Sequence, residues 1–183
     1  WADPRSVAAL ATYAELPARL KRRLANPAAT GFAGPTLLWL KRHEAGAYQQ
    51  ARWALQPKDW LRLRLTGQAN SEPSDASATL LYDLQADEWS DAAVEELALR
   101  RSLLAPLVPS SSVAGLLTHP SADALGLAAG LPVAAGGGDT ACAALGSALT
   151  SAGQMQVTVG SGLQVVAIVP AAVPDGTLRT HLY

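Results

Sequence analysis

The sequence predicts a mixed α/β fold on three observations. Of its 183 residues, 49% are apolar and 16% are charged, which is typical of a packed globular chain and excludes a disordered or fibrous one. The first hundred residues carry apolar side chains at helical spacing. The last third contains a short strand, a glycine turn and a helix, followed by two β-rich runs.

The first predicted helices lie before residue 50. Residues 6–24 form one or two helices, with Ser6 as a candidate N-cap and Pro17 as a candidate break. The next helix begins near Pro35, because proline is tolerated in a first helical turn, where its missing N–H costs nothing.

The run 61–65 is ambiguous by periodicity alone. It alternates apolar and charged residues, as a half-buried strand does, but Pro57 before it and Gly67 after it are typical helix boundaries. We therefore predict a helix there. A further helix follows Ser90, whose successor Asp91 places a carboxylate in the first turn.

The remaining elements are predicted from shorter runs. They are a β-rich run at 113–117, a helix at 121–129, a strand at 132–135, a helix at 140–149 and a hairpin of strands 154–159 and 163–169. No residue from Thr140 to Pro174 is charged, yet Gly, Gln, Ser and Thr interrupt this run too often for a membrane span. We expect it to be buried core.

Charge and cysteine content limit the partners and the compartment. Through Arg64 the chain has eleven Lys and Arg against four Asp and Glu, and after it three against eleven. The basic residues at the end of the first helical segment favour a solvated helix face over a nucleic-acid surface. The single Cys142 excludes an internal disulfide, and no targeting segment is visible, so we expect a cytoplasmic protein without a nucleic-acid or membrane partner. A homodimer stays open.

Two glycine-rich turns could bind phosphate. Gly160, Ser161 and Gly162 lie between two predicted strands, where successive backbone N–H groups could cradle an anion, although a plain hairpin turn needs the same residues. Gly138 and Asp139 end a second turn before a helix. There Asp139 could hold a hydrated Mg²⁺, or it could simply cap the helix.

A carboxylate among small polar residues is the third candidate. Asp75 follows Ser74 and could act as a general base, with the small neighbours leaving room for a polyol. Ser-Asp is also common at a helix N-cap, so capping is the alternative function of this pair. His43, His119 and His181 show no metal-ligand spacing.

Taken in order, several motifs resemble those of the FGGY family of carbohydrate kinases, and most closely its xylulokinases. The W-A-D-P-R stretch at 1–5 resembles the family's W-x-D-x-R, and Q-P-K-D-W-L-R-L-R-L-T-G at 56–67 resembles L-P-K-D-Y-L-R-x-R-L-T-G. S-D-A-S-A-T at 74–79 and the A-G-G-G-D-T run from 135 resemble S-D-A-S-G-T and A-G-G-G-D-N. Thr36, Thr140 and Leu163 depart from the family pattern, which has Lys, Asn and a small residue at these positions.

The resemblance implies an incomplete actin-like ATPase (ribonuclease H-like) fold. Residues 1–152 would be the later part of the sugar-binding domain, and residues 153–183 the first strands of the ATP-binding domain. The implied reaction is ATP- and Mg²⁺-dependent phosphorylation of a sugar, D-xylulose to D-xylulose 5-phosphate, with another ketose or polyol, or a catalytically silent sugar-binding relative, as alternatives. We expect this chain by itself to be inactive.

The resemblance also implies a role for each matched residue. Asp75 falls on the catalytic base. Asp139 falls on the carboxylate that faces Mg²⁺. The remaining positions are the sugar-binding residues Trp1, Asp3, Arg5 and Ser74, and the phosphate-binding residues Gly138, Gly160, Ser161 and Gly162.

Overall fold

The computed structural model describes residues 2–177 and 179–183, and the part before residue 80 is helical. A 3₁₀ turn at Arg5–Ala8 leads into the first helix. The helices that follow in chain order are α1 (Ala9–Glu15), α2 (Ala18–Leu24), α3 (Ala33–His43), α4 (Ala45–Gln50), α5 (Pro57–Thr66) and α6 (Pro73–Ser77).

Proline and glycine set the helix boundaries largely as predicted. The segment 6–24 is split at Pro17, and α5 begins at Pro57 and ends at Gly67, which has a left-handed φ of 74°. The prediction for Ser6 was wrong, because it lies buried inside the 3₁₀ turn and its side chain accepts no capping hydrogen bond. The helix α4 was not predicted.

The later part alternates short strands and helices. It comprises β1 (Tyr82–Asp83), β2 (Glu88–Trp89), α7 (Asp91–Glu96), β3 (Val113–Leu116), α8 (His119–Leu125), β4 (Pro132–Ala134), α9 (Asp139–Gly146), β5 (Met155–Val159) and β6 (Leu163–Ala167). In α7, Ser90 Oγ accepts a hydrogen bond from Ala93 N at 3.3 Å, as its position predicted. The helix α8 ends four residues early because Gly126 adopts a left-handed φ of 67°.

The strands pair into three antiparallel two-stranded ribbons, β1–β2, β3–β4 and β5–β6. The predicted hairpin is thus confirmed, with Met155 opposite Ala167 and Val159 opposite Leu163. The strand β3 lies against α5, where Gly115 approaches so closely that a Cβ would lie 2.7 Å from Thr66 Cβ.

The hydrophobic core lies among α1, α2, α3 and the segment 80–104, and its most deeply buried side chains include Leu80, Leu81 and Leu103. The uncharged segment after Thr140 is not part of it. Val159 is 80% exposed and Leu163 is 69% exposed, so the prediction of buried core there was wrong. The reason is that β5 and β6 pair only with each other among the described residues, which leaves their faces open to solvent.

Within the described part of the chain, no helix combines the length and the apolar character that crossing a membrane requires.

Candidate active site

The short helix α6 carries Asp75 and is capped by an unusual residue. The carboxylate of Glu72 accepts hydrogen bonds from Ser74 N at 2.8 Å and Asp75 N at 2.9 Å, and Pro73 occupies the first turn. These contacts satisfy N–H groups that the helix itself leaves unpaired. Because Glu72 is the cap, the alternative function of Ser74-Asp75 as an N-cap is wrong, and the Asp75 side chain is available for other contacts.

Three carboxylates surround one ammonium group. Lys58 Nζ lies 2.7 Å from Asp59 Oδ1, 3.1 Å from Glu72 Oε1 and 3.1 Å from Asp75 Oδ2. The side chains of Asp59 and Glu72 are fully buried, whereas that of Asp75 is 21% exposed. Asp75 is therefore the carboxylate of this cluster that small molecules can reach.

A buried guanidinium, that of Arg62, contacts this cluster through Asp59. Arg62 donates to Asp59 Oδ1 at 2.8 Å, to Asn70 Oδ1 at 2.6 Å and to Asn70 O at 2.7 Å, and it also donates to the carbonyl of Ala135. Ser71 Oγ donates to the second carboxylate oxygen of Asp59 at 2.8 Å. Arg62 thus ties α5 to the segment before α6 and to the end of β4, just before the glycine turn.

The glycine turn that follows β4 packs directly on α6. Ser74 Oγ accepts a hydrogen bond from Gly138 N at 2.8 Å. A Cβ on Gly138 would lie 3.0 Å from Asp75 Oδ1, and one on Gly137 would lie 3.3 Å from Ser74 Oγ. A side chain at Gly138 would crowd the candidate base, so the Asp75 carboxylate would have to shift by a few tenths of an ångström to admit one.

Asp139 follows as the first residue of α9 and is less enclosed. Its carboxylate is exposed and accepts a hydrogen bond from Thr140 N at 2.6 Å. In the described residues, no three or more His, Cys, Asp and Glu side chains are grouped so as to hold a metal ion. A single exposed carboxylate still suits Mg²⁺, which retains several waters and shares phosphate oxygens.

For the charged groups of this cluster, burial favours the neutral form, whereas hydrogen bonds and opposite charges favour the ionised form. Burial raises the pKa of Asp75 above its usual value, although the nearby Lys58 opposes the shift. Burial also favours the neutral form of Glu72, but donors from Ser110, Ser74 and the backbone outweigh it, so the pKa of Glu72 is lowered. For Lys58, burial is outweighed by the carboxylates, and its pKa is raised.

The second predicted phosphate turn lies at the tip of the β5–β6 hairpin. Gly160 N donates to Gly162 O at 2.9 Å, and the space where a Cβ on either glycine would lie is open. Gln164 Nε2 donates to Thr140 Oγ1 at 3.3 Å, which links the hairpin to α9. Leu163 belongs to β6, so its departure from the family pattern falls in a strand and not in the turn.

Of the sugar-binding residues predicted at the start of the chain, Asp3 and Arg5 form an ion pair with each other, away from Asp75. Asp3 accepts from Arg5 Nε at 2.9 Å and from Arg5 N at 2.9 Å, and the Arg5 guanidinium lies 4.3 Å from the centroid of the Trp39 ring. Hydrogen bonds from Arg5 lower the pKa of Asp3 to about 2. Trp1 lies outside the described residues.

Sequence reasoning assigned no role to Lys58, Asp59, Arg62 or Glu72. A signal was present, because Asp59 and Arg62 are three residues apart and so share a helix face. The sequence did not indicate that this charged face of α5 is buried.

The family model for the FGGY family of carbohydrate kinases, N-terminal domain, matches residues 1–146. The chain belongs to this family. The xylulose kinase of Escherichia coli is 40% identical over 131 residues, covering 72% of this chain and 27% of the relative. The autoinducer-2 kinase of E. coli is 35% identical over 148 residues, covering 81% of this chain and 28% of the relative.

Solved structures agree with the sequence comparison. The crystal structure of a xyloylose kinase from Brucella ovis superposes with a TM-score of 0.82 at 31% identity, covering 94% of this chain and 34% of that one. The actin-like ATPase fold implied by the sequence is thereby confirmed for the part of it present here. The chain spans about 27% of the length of its xylulose kinase relative.

Proposed function

We propose that this FGGY chain is the sugar-binding part of an ATP-dependent kinase in which Asp75 is the general base. The observation that carries the proposal is the placement of Asp75: its carboxylate is partly exposed, pairs with Lys58, and lies next to Gly138. Family membership supplies the reaction class. The share of the relatives that this chain spans supports a longer protein.

The chemistry needs one proton acceptor. Asp75 takes the proton of a sugar hydroxyl as that oxygen forms a bond to the γ-phosphorus of ATP, and the bond from phosphorus to the β,γ-bridging oxygen breaks as ADP leaves. Phosphoryl transfer depends mainly on positioning and charge neutralisation, so a base and fixed backbone donors are the protein's main contributions. Mg²⁺ held by Asp139 would neutralise charge on the phosphates.

The proposed domain division is residues 1–152 for the sugar side and 153–183 for the start of the ATP side. The exposed apolar residues of β5 and β6, including Met155 and Val165, support it. A hairpin with open apolar faces is marginal by itself, so we expect further strands of the full-length protein to cover it.

The sugar we propose is D-xylulose, supported by the 40% identical xylulose kinase of E. coli. The autoinducer-2 kinase match favours autoinducer-2 as a second candidate substrate. We expect the full-length protein to release ADP from Mg-ATP fastest with D-xylulose in a coupled assay, ahead of D-ribulose, glycerol and autoinducer-2. If another of these compounds is turned over faster, it replaces D-xylulose as the proposed substrate. Sugar binding without ADP release from any would indicate the catalytically silent relative.

The hairpin tip gives a separate prediction about ATP. In the full-length protein, Ser161→Ala should raise the KM for ATP only about threefold, the worth of one ordinary hydrogen bond. Gly160→Val or Gly162→Val should raise it by more than about tenfold, because backbone donors form such a site and a side chain would obstruct them.

The control for the hairpin tip is Gly46→Val, at another glycine with open space around it. Within this chain a Cβ at Gly160 or Gly162 meets no protein atom within 4 Å. A selective rise in KM with an unchanged Tm of the full-length variants would therefore reflect the nucleotide rather than the fold. Equal, negligible effects of the Gly160, Ser161 and Gly162 variants would place the nucleotide elsewhere.

A further inference from the structure

The side chain of Glu72 is connected to both ends of the glycine turn that follows β4. At one end, Gly138 N donates to Ser74 Oγ at 2.8 Å, and Ser74 Oγ donates to Glu72 Oε2 at 2.7 Å. At the other end, Gly136 N donates to the carbonyl of Ser110 at 3.1 Å, and Ser110 Oγ donates to the same Glu72 oxygen at 2.7 Å. One carboxylate oxygen thus reaches the turn by two routes.

Capping of α6 does not by itself account for this arrangement. The cap consists of the hydrogen bonds from Ser74 N and Asp75 N, one to each carboxylate oxygen of Glu72. Ser110 lies 38 residues after Glu72 and outside the helix, yet its hydroxyl reaches the same side chain. Burial would raise the pKa of Glu72, but donors from the two serines and the backbone outweigh it and lower that pKa. Glu72 is thus an ionised acceptor that both serine hydroxyls share.

The turn is important because α9 begins directly after it. Gly136 has a left-handed φ of 78°, and Gly138 precedes Asp139, the first residue of α9. Among the residues that the structure describes, the exposed Asp139 carboxylate accepts hydrogen bonds only from its neighbour Thr140. The position of Asp139 is therefore set by the backbone of the turn and not by contacts of its own side chain.

We propose that Glu72 is a positioning residue for phosphoryl transfer, which acts through Ser74 and Ser110 to fix the glycine turn. The turn then sets the place from which Asp139 and the start of α9 face the phosphates. Because its side chain is fully buried, Glu72 itself touches neither substrate. This inference rests on the proposed kinase function, with Asp139 on the phosphate side, and does not depend on which residue is the general base.

The first test removes the Ser110 hydroxyl, which belongs neither to α6 nor to its cap. In the full-length protein with Mg-ATP and D-xylulose, Ser110→Ala should lower kcat about tenfold, because a hydrogen bond to a charged acceptor is lost and small displacements of reacting groups are costly. The KM for the sugar should stay the same. Ser110 is exposed and its carbonyl still accepts from Gly136 N, so Tm should fall by no more than about 5 °C.

Two variants in the same loop separate this link from a general effect on the fold. Ser110→Thr keeps the hydroxyl donor and should restore kcat to within about twofold of the original value. Ser112→Ala is the matched control, because Ser112 Oγ donates to the carbonyl of Pro109 at the same distance of 2.7 Å. It should leave kcat unchanged.

Glu72→Gln tests whether the serine acts through the carboxylate. Gln keeps the size of the side chain but has a single acceptor oxygen, so kcat should fall about 10²-fold. Adding Ser110→Ala to Glu72→Gln should then cost no more than about a further twofold, whereas independent effects would multiply. If Glu72→Gln does not fold, Ser110→Ala and its rescue by Ser110→Thr decide the question.

Hydrogen–deuterium exchange reports on the turn without any need for activity. In full-length Ser110→Ala, amides in the segment 136–142 should exchange about fivefold faster, the effect of one lost hydrogen bond. Amides of α3, which lies in the hydrophobic core, should keep their rates.

An unchanged kcat in Ser110→Ala, a loss that Ser110→Thr does not recover, or losses that multiply in the double variant would overturn the inference. The proposed function fails differently. If the unmodified full-length protein releases no ADP with any sugar tested, the kinase assignment is wrong, and the exchange rates of 136–142 still decide whether Glu72 holds the turn through Ser110.

Discussion

Replacing Asp75 by Asn in the full-length protein is expected to lower kcat by about 10²–10⁴, equivalent to roughly 3–5 kcal/mol of barrier. Asn keeps the size of the side chain but cannot accept the hydroxyl proton. The KM for the sugar should change little, because the contacts that hold α6, from Glu72 to the backbone N–H groups, do not involve the Asp75 side chain. Steady-state kinetics with Mg-ATP and D-xylulose measures both constants.

The stability of the Asp75→Asn variant should stay close to that of the unmodified protein. Its ion pair with Lys58 is partly exposed, and such pairs contribute about 0–1 kcal/mol. The matched control is Asp91→Asn, which removes another first-turn carboxylate, one paired with Arg101 at 2.6 Å. Near-normal turnover of Asp75→Asn would end the claim that Asp75 carries the chemistry.

Replacing Arg62 by Met is expected to have the largest effect on stability, lowering the free energy of unfolding by about 3–5 kcal/mol. The Arg62 side chain is 4% exposed, and Met would supply none of its donors. Fully buried Asp59 would keep Lys58 and Ser71 but lose its guanidinium, and the carbonyls of Asn70 and Ala135 would lose their partner. Urea denaturation and Tm of the full-length protein measure the loss.

Arg64→Met is the control for this prediction, because Arg64 lies two residues further along the same helix and is exposed. It should change the free energy of unfolding by no more than about 0.5 kcal/mol. Adding Asp59→Asn to Arg62→Met should recover part of the loss by removing the uncompensated buried charge. A loss below about 1 kcal/mol in Arg62→Met would show that Arg62 is not the support inferred from its contacts.

Local signals were sufficient for most helices and for the hairpin. In α5, the boundaries set by Pro57 and Gly67 outweighed the strand-like alternation at 61–65, because a fixed proline φ and a left-handed glycine act on the backbone directly. The ends of α8 and α9 were placed too late, since small apolar residues continue past both without a helix being formed.

Burial was the property that local signals predicted least well. In α5, Leu61 is 53% exposed whereas Asp59 and Arg62 are buried, the reverse of the usual preference. In the hairpin, apolar residues such as Val159 are exposed because no further strand covers them within this chain. Whether a side chain is buried depends on what packs against it, and that is set by distant segments.

The sequence by itself determined the family, the helical first half and the hairpin, because these follow from motif order and backbone preference, whereas the role of Asp75 as base stays a prediction. Only the tertiary structure decided that Glu72, rather than Ser74 or Asp75, caps α6, and that Lys58 joins three carboxylates. Those contacts bring together α5, α6 and the turn after β4, which are separated by up to about eighty residues. Their energies depend on distance and burial in three dimensions, which spacing along the chain does not encode.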